Sequence, residues 1–319
     1  MPAARRVDPK SFFTREEWAG LARRSNWRGP ALVLHCWAVI FAAAAAGIVW
    51  PILMPLAVMV IGTRQLGLAI LMHDAAHGAL HRSLAINDWI GRWLLSAPVG
   101  ASLERYRPYH LTHHRFAQQA EDPDLGLSAP FPITRRSLRR KVVRDLTGQT
   151  FYKQRVAPIL AVLGGRKANV PTNVIFKGGS LLSPQFLLSN AVLFAAGAAA
   201  GVWWAWIVFW LLPMAVWLPL VTRLRNIAEH ACVPDDADPL RHARTTRANW
   251  LERAFIAPYW VNYHVEHHMF MHLPCWTLPR VHRMLERKGV LPRMEVQPGY
   301  RQVLRMATSR PERAAVAAA

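Results

Sequence analysis

From Gly29 to Thr63 the chain carries no Asp, Glu, Lys or Arg, and from Gly178 to Thr222 it again carries none. Each run is too long for one helix of a soluble core. At 1.5 Å rise per residue, each suits two spans of about twenty residues across an apolar slab. The runs therefore predict an all-α integral membrane protein with four transmembrane helices, at about 31–50, 52–72, 184–200 and 202–221. Two buried core helices are the alternative, but such helices rarely pass about fifteen residues without a charge. Trp50, Trp203, Trp204, Trp206, Trp210 and Trp217 fit the aromatic enrichment of membrane interfaces.

The formal charge of +20 lies outside these runs. Seven cations from Arg5 to Arg28 precede the first run, and Arg135, Arg136, Arg139, Arg140, Lys141 and Arg144 lie between the two. The turns near Trp50-Pro51 and Ala200-Gly201 carry no charge. The positive-inside rule then places both termini, the central loop and the tail in the cytoplasm. Anionic headgroups, rather than nucleic acid, are the partner such cations imply. Cys36, Cys232 and Cys275 are far apart and form no CxxC, which fits a reducing compartment.

The organisation expected is a basic, partly amphipathic segment over 1–30, with Trp18 and Trp27 near the surface, then a single domain over 31–305 and a frayed tail over 306–319. Leu84–Val99 is apolar but holds Asp88 and Arg92, and suits an interfacial or buried helix better than a span. Four spans bring the end of span two, the central loop, the end of span four and the tail to one face.

Histidine is concentrated in those segments. His73 and His77 form HDAAH, His110, His113 and His114 form HLTHH, and His264, His267 and His268 form HVEHH. Two HxxHH motifs are expected by chance in only about one such chain in a thousand. Eight imidazoles suffice for two metal ions. On a helix His73 and His77 share a face. In HxxHH the first and middle histidines are expected to share a face, with the third turned away and available to a neighbouring ion. His230 adds a ninth imidazole, and Asn226, four residues earlier, could reach a metal through water. For both, a solvated helix end is the plainer alternative. Nine histidines overshoot one zinc ion. Two irons with nitrogen ligands can activate dioxygen and attack an unactivated C–H bond, whereas zinc has no redox chemistry.

The three boxes, their order and their placement around four spans resemble the membrane fatty acid desaturase superfamily, from about residue 30 to 290. Glu121–Asp124 after the second box and His272–Pro274 after the third resemble its members too. The resemblance implies a four-span helical protein with a cytoplasmic helical cap and a non-haem di-iron centre. It assigns His73, His77, His110, His113, His114, His230, His264, His267 and His268 as iron ligands and matches Asn226 to a position acting through water in the acyl-CoA branch. It further implies dioxygen as co-substrate and a separate ferredoxin or cytochrome with its reductase, since the HPGG signature of a fused haem domain is absent. The first box has three intervening residues, as in many acyl-lipid and carotenoid-modifying members. The function expected is double-bond introduction into a long-chain acyl lipid. Carotenoid ketolase or hydroxylase, or lipid hydroxylase, is the runner-up; a histidine-rich membrane metal transporter is a distant alternative, because its ligands would sit mid-span.

Around the boxes, His81 reads as a capping residue or a further ligand, and His35, His242, His272 and His282 as isolated packing or surface histidines. Asp74, Asp122, Asp124, Glu229 and Glu266 are candidates to fix an imidazole tautomer. Arg64 is a charge inside span two, a position that is either functional or snorkelling. The run Arg135–Arg144 reads as a membrane-facing basic surface or a dock for an acidic electron donor.

Overall fold

A computed structural model describes residues 7–165, 180–234 and 238–311. The chain is mostly helical, and it divides into two compact units. One contains residues 26–107 and 142–222; the other contains residues 1–25, 108–141 and 223–319. Parts of both ends, 1–6 and 312–319, lie outside the described residues, and so does most of the expected tail.

Among the described residues, three helices are long and apolar enough to cross a membrane: Arg28–Val49, Pro51–Ala76 and Ile207–His230. Pro184–Ala199 is apolar but shorter, at 16 residues. It stops early because Gly201 takes φ +74°, and the Gly201 and Val202 N–H groups close back on Ala198 and Gly197. This is the αL ending that glycine permits. The chain turns at 203–204, and the last long helix continues past the expected end of the span at 221 to His230, which keeps Asn226 and His230 on one helix as their spacing suggested. At the other expected turn, Trp50 is extended ahead of Pro51, as a residue before proline must be.

Within the 26–107/142–222 unit, small residues let helices approach. A Cβ on Gly29 would stand 1.9 Å from the Leu80 carbonyl oxygen, and one on Gly62 would lie 2.7 Å from Trp217. Polar side chains bond across helices: Gln65 Nε2 donates to the Trp210 carbonyl at 2.8 Å, and Trp217 Nε1 to Thr63 Oγ1 at 3.0 Å. Such bonds and close contacts hold helices together where lipid supplies no hydrophobic drive. The outward faces carry exposed apolar residues, among them Leu34, Phe41, Ile52, Val192 and Trp203. Leu84–Val99 is broken into short α, π and 3-10 pieces, too irregular for a span.

The other unit has its own core, in which Phe13, Leu21, Val265, Phe270, Val281 and Leu285 are buried together. The N-terminal segment is thus part of a folded body. Helix Arg15–Leu21 begins with a Thr14/Glu17 capping box, and Trp18, expected at the surface, packs against Phe270 at 5.2 Å. Lys288 Nζ donates to Glu17 at 2.8 Å. A two-residue parallel ladder pairs Thr245–Thr246 with Val296–Gln297.

Candidate metal centre

His110, His113 and His114 stand on helix Leu103–Phe116, which buries His110 and His113. His264, His267 and His268 stand on the six-residue helix His264–Met269, and His230 closes the long helix Leu212–His230. These seven residues lie in the same unit. Their ring nitrogens sort into two sets. In the first, His114 Nε2 lies 3.0 Å from His110 Nε2 and 2.9 Å from His267 Nε2. The second comprises His113, His230, His264 and His268, with ligand atoms all within 4.8 Å of one another. There His264 Nε2 is 2.9 Å from His230 Nε2 and 3.2 Å from His268 Nε2.

The partition corrects the expected geometry of HxxHH. In both boxes the first and last histidines stay together and the middle one crosses to the other set. The reason is helical: residues four apart differ by about 40° around the axis, whereas residues three apart differ by about 60° in the opposite sense. His113 therefore leaves His110 and His114, and His267 leaves His264 and His268. Each box thus contributes to both sets.

His73 and His77 belong to the other unit, with ring centroids 4.9 Å apart at the end of helix Met54–Ala76. That end is clamped. Asn87 Nδ2 donates to the Ala75 carbonyl at 2.8 Å, and Arg107 Nε to the Ala76 carbonyl at 2.9 Å. Gly78, at φ +65°, terminates the helix just past His77. His81 accepts the Ser83 N–H at 3.0 Å, which fits its reading as a capping residue.

Carboxylates orient several rings. Asp122, which accepts the N–H groups of Gln118 and Asp124, also accepts from His113 Nδ1 at 2.8 Å. This fixes the Nδ1–H tautomer and leaves Nε2 as a lone-pair donor. Asp124 accepts from Tyr109 and stands 3.7 Å from the same ring nitrogen. Burial works against a charge on His113, but the hydrogen bond and charge of Asp122 outweigh it and raise its pKa. Burial also raises that of Asp124. Glu229 Oε2 stands 3.5 Å from His264 Nε2, its other oxygen held by Arg225 Nε at 2.6 Å. Desolvation first, then the neighbouring rings, hold His268 well below the ordinary imidazole range, keeping its lone pair available.

Glu266 does something else. Fully buried, it accepts from His282 Nδ1 and Thr245 Oγ1, and Thr245 Oγ1 accepts the Val265 N–H. It anchors the third box to two other elements. His282 is therefore a buried partner and not a surface residue. His242, also buried, sets its ring 5.1 Å from that of His268. Neither has a sequence spacing that links it to a box. Asn226 is half-buried, one turn before His230. Arg64 is buried on helix Met54–Ala76, and His35 is exposed on helix Arg28–Val49.

Both sets suit a metal. Two ligands about 2.1 Å from one ion and at right angles to each other stand about 3.0 Å apart, which is the spacing of the facing nitrogens. Lone pairs converging in a buried place repel unless something positive lies among them. Imidazole as the sole donor type suits iron, copper or zinc and disfavours magnesium or calcium.

The fatty acid desaturase family model matches residues 48–297. The chain is 26% identical over 289 residues to a dihydrorhizobitoxine desaturase from Bradyrhizobium elkanii, covering 88% of this chain and 79% of that one. It is 27% identical over 261 residues to a β-carotene ketolase from Paracoccus sp., covering 79% and 90%. It is also 26% identical over 249 residues to an sn-1 acyl-lipid omega-3 desaturase (ferredoxin) from Synechocystis sp., covering 71% and 65%.

Proposed function

The chain belongs to the fatty acid desaturase family, and from that premise we propose that it is a membrane-bound, dioxygen-dependent di-iron oxidoreductase introducing a double bond into a long-chain acyl lipid. The observation that carries this reading is the exchange of His113 and His267 between two adjoining sets of imidazoles. Two ions held by such sets would each draw ligands from both boxes.

His110, His114 and His267 would hold one iron, and the family resemblance implies that His73 and His77 are iron ligands as well. His113, His230, His264 and His268 would hold the other, and Asn226 would act through a water molecule. Iron so bound supplies dioxygen activation and hydrogen abstraction from an unactivated C–H bond. The chain's own groups supply orientation. Asp122 keeps the His113 proton on Nδ1, Glu266 anchors the third box through His282 and Thr245, and Arg225 neutralises Glu229 beside His264. No side-chain base takes part in removing hydrogen from the substrate.

Four membrane passes complete the reading. Pro184–Ala199 is about 24 Å long at 1.5 Å per residue, short for a span, and would serve as the third pass with flanking residues at the interfaces. The basic segments would place both termini and the histidines in the cytoplasm. Electrons would come from a separate ferredoxin or cytochrome with its reductase, and the ferredoxin in the Synechocystis relative's name supports the former. Ketolase activity on a carotenoid is the second reading, favoured by the likeness to the Paracoccus ketolase over 90% of its length.

Expression in a lipid-producing bacterial host with a ferredoxin system, followed by mass spectrometry of whole lipid extracts, separates these reactions. Desaturation predicts an acyl chain lighter by about two mass units, absent with His268→Ala. A gain of about sixteen would mark hydroxylation instead, and a carotenoid gaining about fourteen would mark ketonisation.

A further inference from the structure

The last carbonyls of a helix have no partner inside it, and together they carry a partial negative charge. Two arginines close such ends here, and both ends carry candidate ligands. On helix Met54–Ala76 the end holds His73 and His77. Arg107 Nε donates to the Ala76 carbonyl at 2.9 Å, and Arg107 Nη2 to the Ala75 carbonyl at 3.1 Å. Arg107 Nη1 donates to Asp88 Oδ2 at 3.0 Å. Asn87, which completes the grip on Ala75, also donates to Asp88 Oδ1 at 2.8 Å.

Helix Leu212–His230, whose end lies in the other unit, closes in the same way. Arg244 is fully buried; its Nη1 donates to the Ala231 carbonyl at 2.7 Å and its Nη2 to the Cys232 carbonyl at 3.0 Å. Its Nε donates to Glu295 Oε1 at 2.9 Å, and its backbone N–H to the Glu229 carbonyl at 2.8 Å. Cys232 holds φ +56°, a left-handed conformation that a residue with a side chain keeps only where its surroundings impose it. The grip of Arg244 on the Cys232 carbonyl helps to impose it. The two arrangements share no sequence motif: Asp88 precedes Arg107 by 19 residues, whereas Glu295 follows Arg244 by 51.

Arginine suits this task because its planar fork can reach two carbonyls and a carboxylate at once. The carboxylate fixes the plane of the guanidinium, and the guanidinium fixes the last turn of the helix. An imidazole on that turn can then swing only about its own side-chain bonds. Resting on the di-iron reading and deepening it, we propose that Arg107 with Asp88, and Arg244 with Glu295, are positioning pairs. The first sets the direction from which His73 and His77 offer their nitrogens to iron, and the second sets that of His230. Both act through the backbone.

The test is cobalt(II) binding by the full-length, metal-stripped protein in detergent. The visible bands of the bound ion report its ligand geometry, and the thermal unfolding midpoint is measured beside them. Arg107→Gln and Arg244→Lys should each weaken cobalt binding roughly 10- to 100-fold and shift its bands. Lysine keeps the charge of Arg244 but loses the fork. Should Arg244→Lys not fold, Glu295→Gln, which removes only the charge that fixes the fork, is expected to weaken binding in the same direction. Arg155→Gln is the control, since Arg155 is also buried and donates to the Val99 and Gly100 carbonyls, which end no histidine-bearing helix. It should lower the midpoint and leave cobalt binding as in the parent. Pair variants that lower the midpoint yet keep the parent's cobalt affinity and bands would overturn the proposal, as would an equal loss of cobalt in Arg155→Gln. Parent protein purified with zinc alone would refute the di-iron reading, while the pairs would still stand or fall by the cobalt comparison.

Discussion

An imidazole becomes a metal ligand only when its proton is placed on the other nitrogen, and here Asp122 does this for His113. Asp122→Asn keeps the shape and loses the charge. We expect it to weaken metal retention roughly 10- to 100-fold, the usual cost of losing such a partner. Chelator competition with metal analysis measures this, and unchanged retention would remove Asp122 from the account. Glu266 makes a second case. His282→Ala would leave its buried carboxylate without its imidazole, at a cost of about 3–5 kcal/mol. Thermal unfolding should show a clearly lower midpoint, partly restored by His282→Gln. Asp122 and Glu266 were equally legible as candidates to fix an imidazole tautomer, because both sit beside box histidines; what was not legible is that Glu266 would hold His282 instead of a box ring. Its partner His282 lies sixteen residues away on another helix, and no spacing rule connects them.

At the scale of elements, the apolar runs and histidine spacings revealed which segments are helical and which residues gather, but not how they gather. The middle histidine of each HxxHH crosses over because of the difference between three- and four-residue offsets, and the short helix His264–Met269 must be placed before that difference acts. Likewise the run from Gly178 to Thr222 showed a break near Gly201, and the four-residue spacing of Asn226 and His230 placed both on the helix that continues beyond it, which runs to His230. Close approach is an element-scale property as well. Gly29 touches the Leu80 carbonyl so tightly that any side chain must push backbone apart. Gly29→Ala is therefore expected to lower the yield of folded protein and its unfolding midpoint, a cost of about 1–3 kcal/mol by overpacking. Size-exclusion profiles and thermal scans in detergent would show it, and a profile like the parent's would mean that this contact is not required.

At the scale of the whole molecule, charge and hydropathy divide the chain cleanly: among the described residues there are three long apolar helices and one shorter one, and the basic segments lie outside the two charge-free runs. Four passes require the turns at Ile52 and Gly201 to face the same side, away from the termini. Cysteines placed at these two positions should react with a membrane-impermeant maleimide from outside intact spheroplasts. The native Cys36 and Cys275 are buried and Cys232 is partly so, which keeps background low. Labelling at Ile52 without Gly201 would instead mean that Pro184–Ala199 does not cross. What neither length nor charge could disclose is a cavity beside the histidines, because it is assembled from Trp18, Leu111 and Phe270, residues far apart in the chain.

The central claim is that the two histidine sets hold two irons, and metal analysis of the purified protein alongside His267→Ala and His113→Ala tests it most directly. The account predicts about two irons per chain in the parent and about one in each variant, since each of these residues serves a different set. Zinc alone in active protein, or one ion per chain lost equally in both variants, would contradict it.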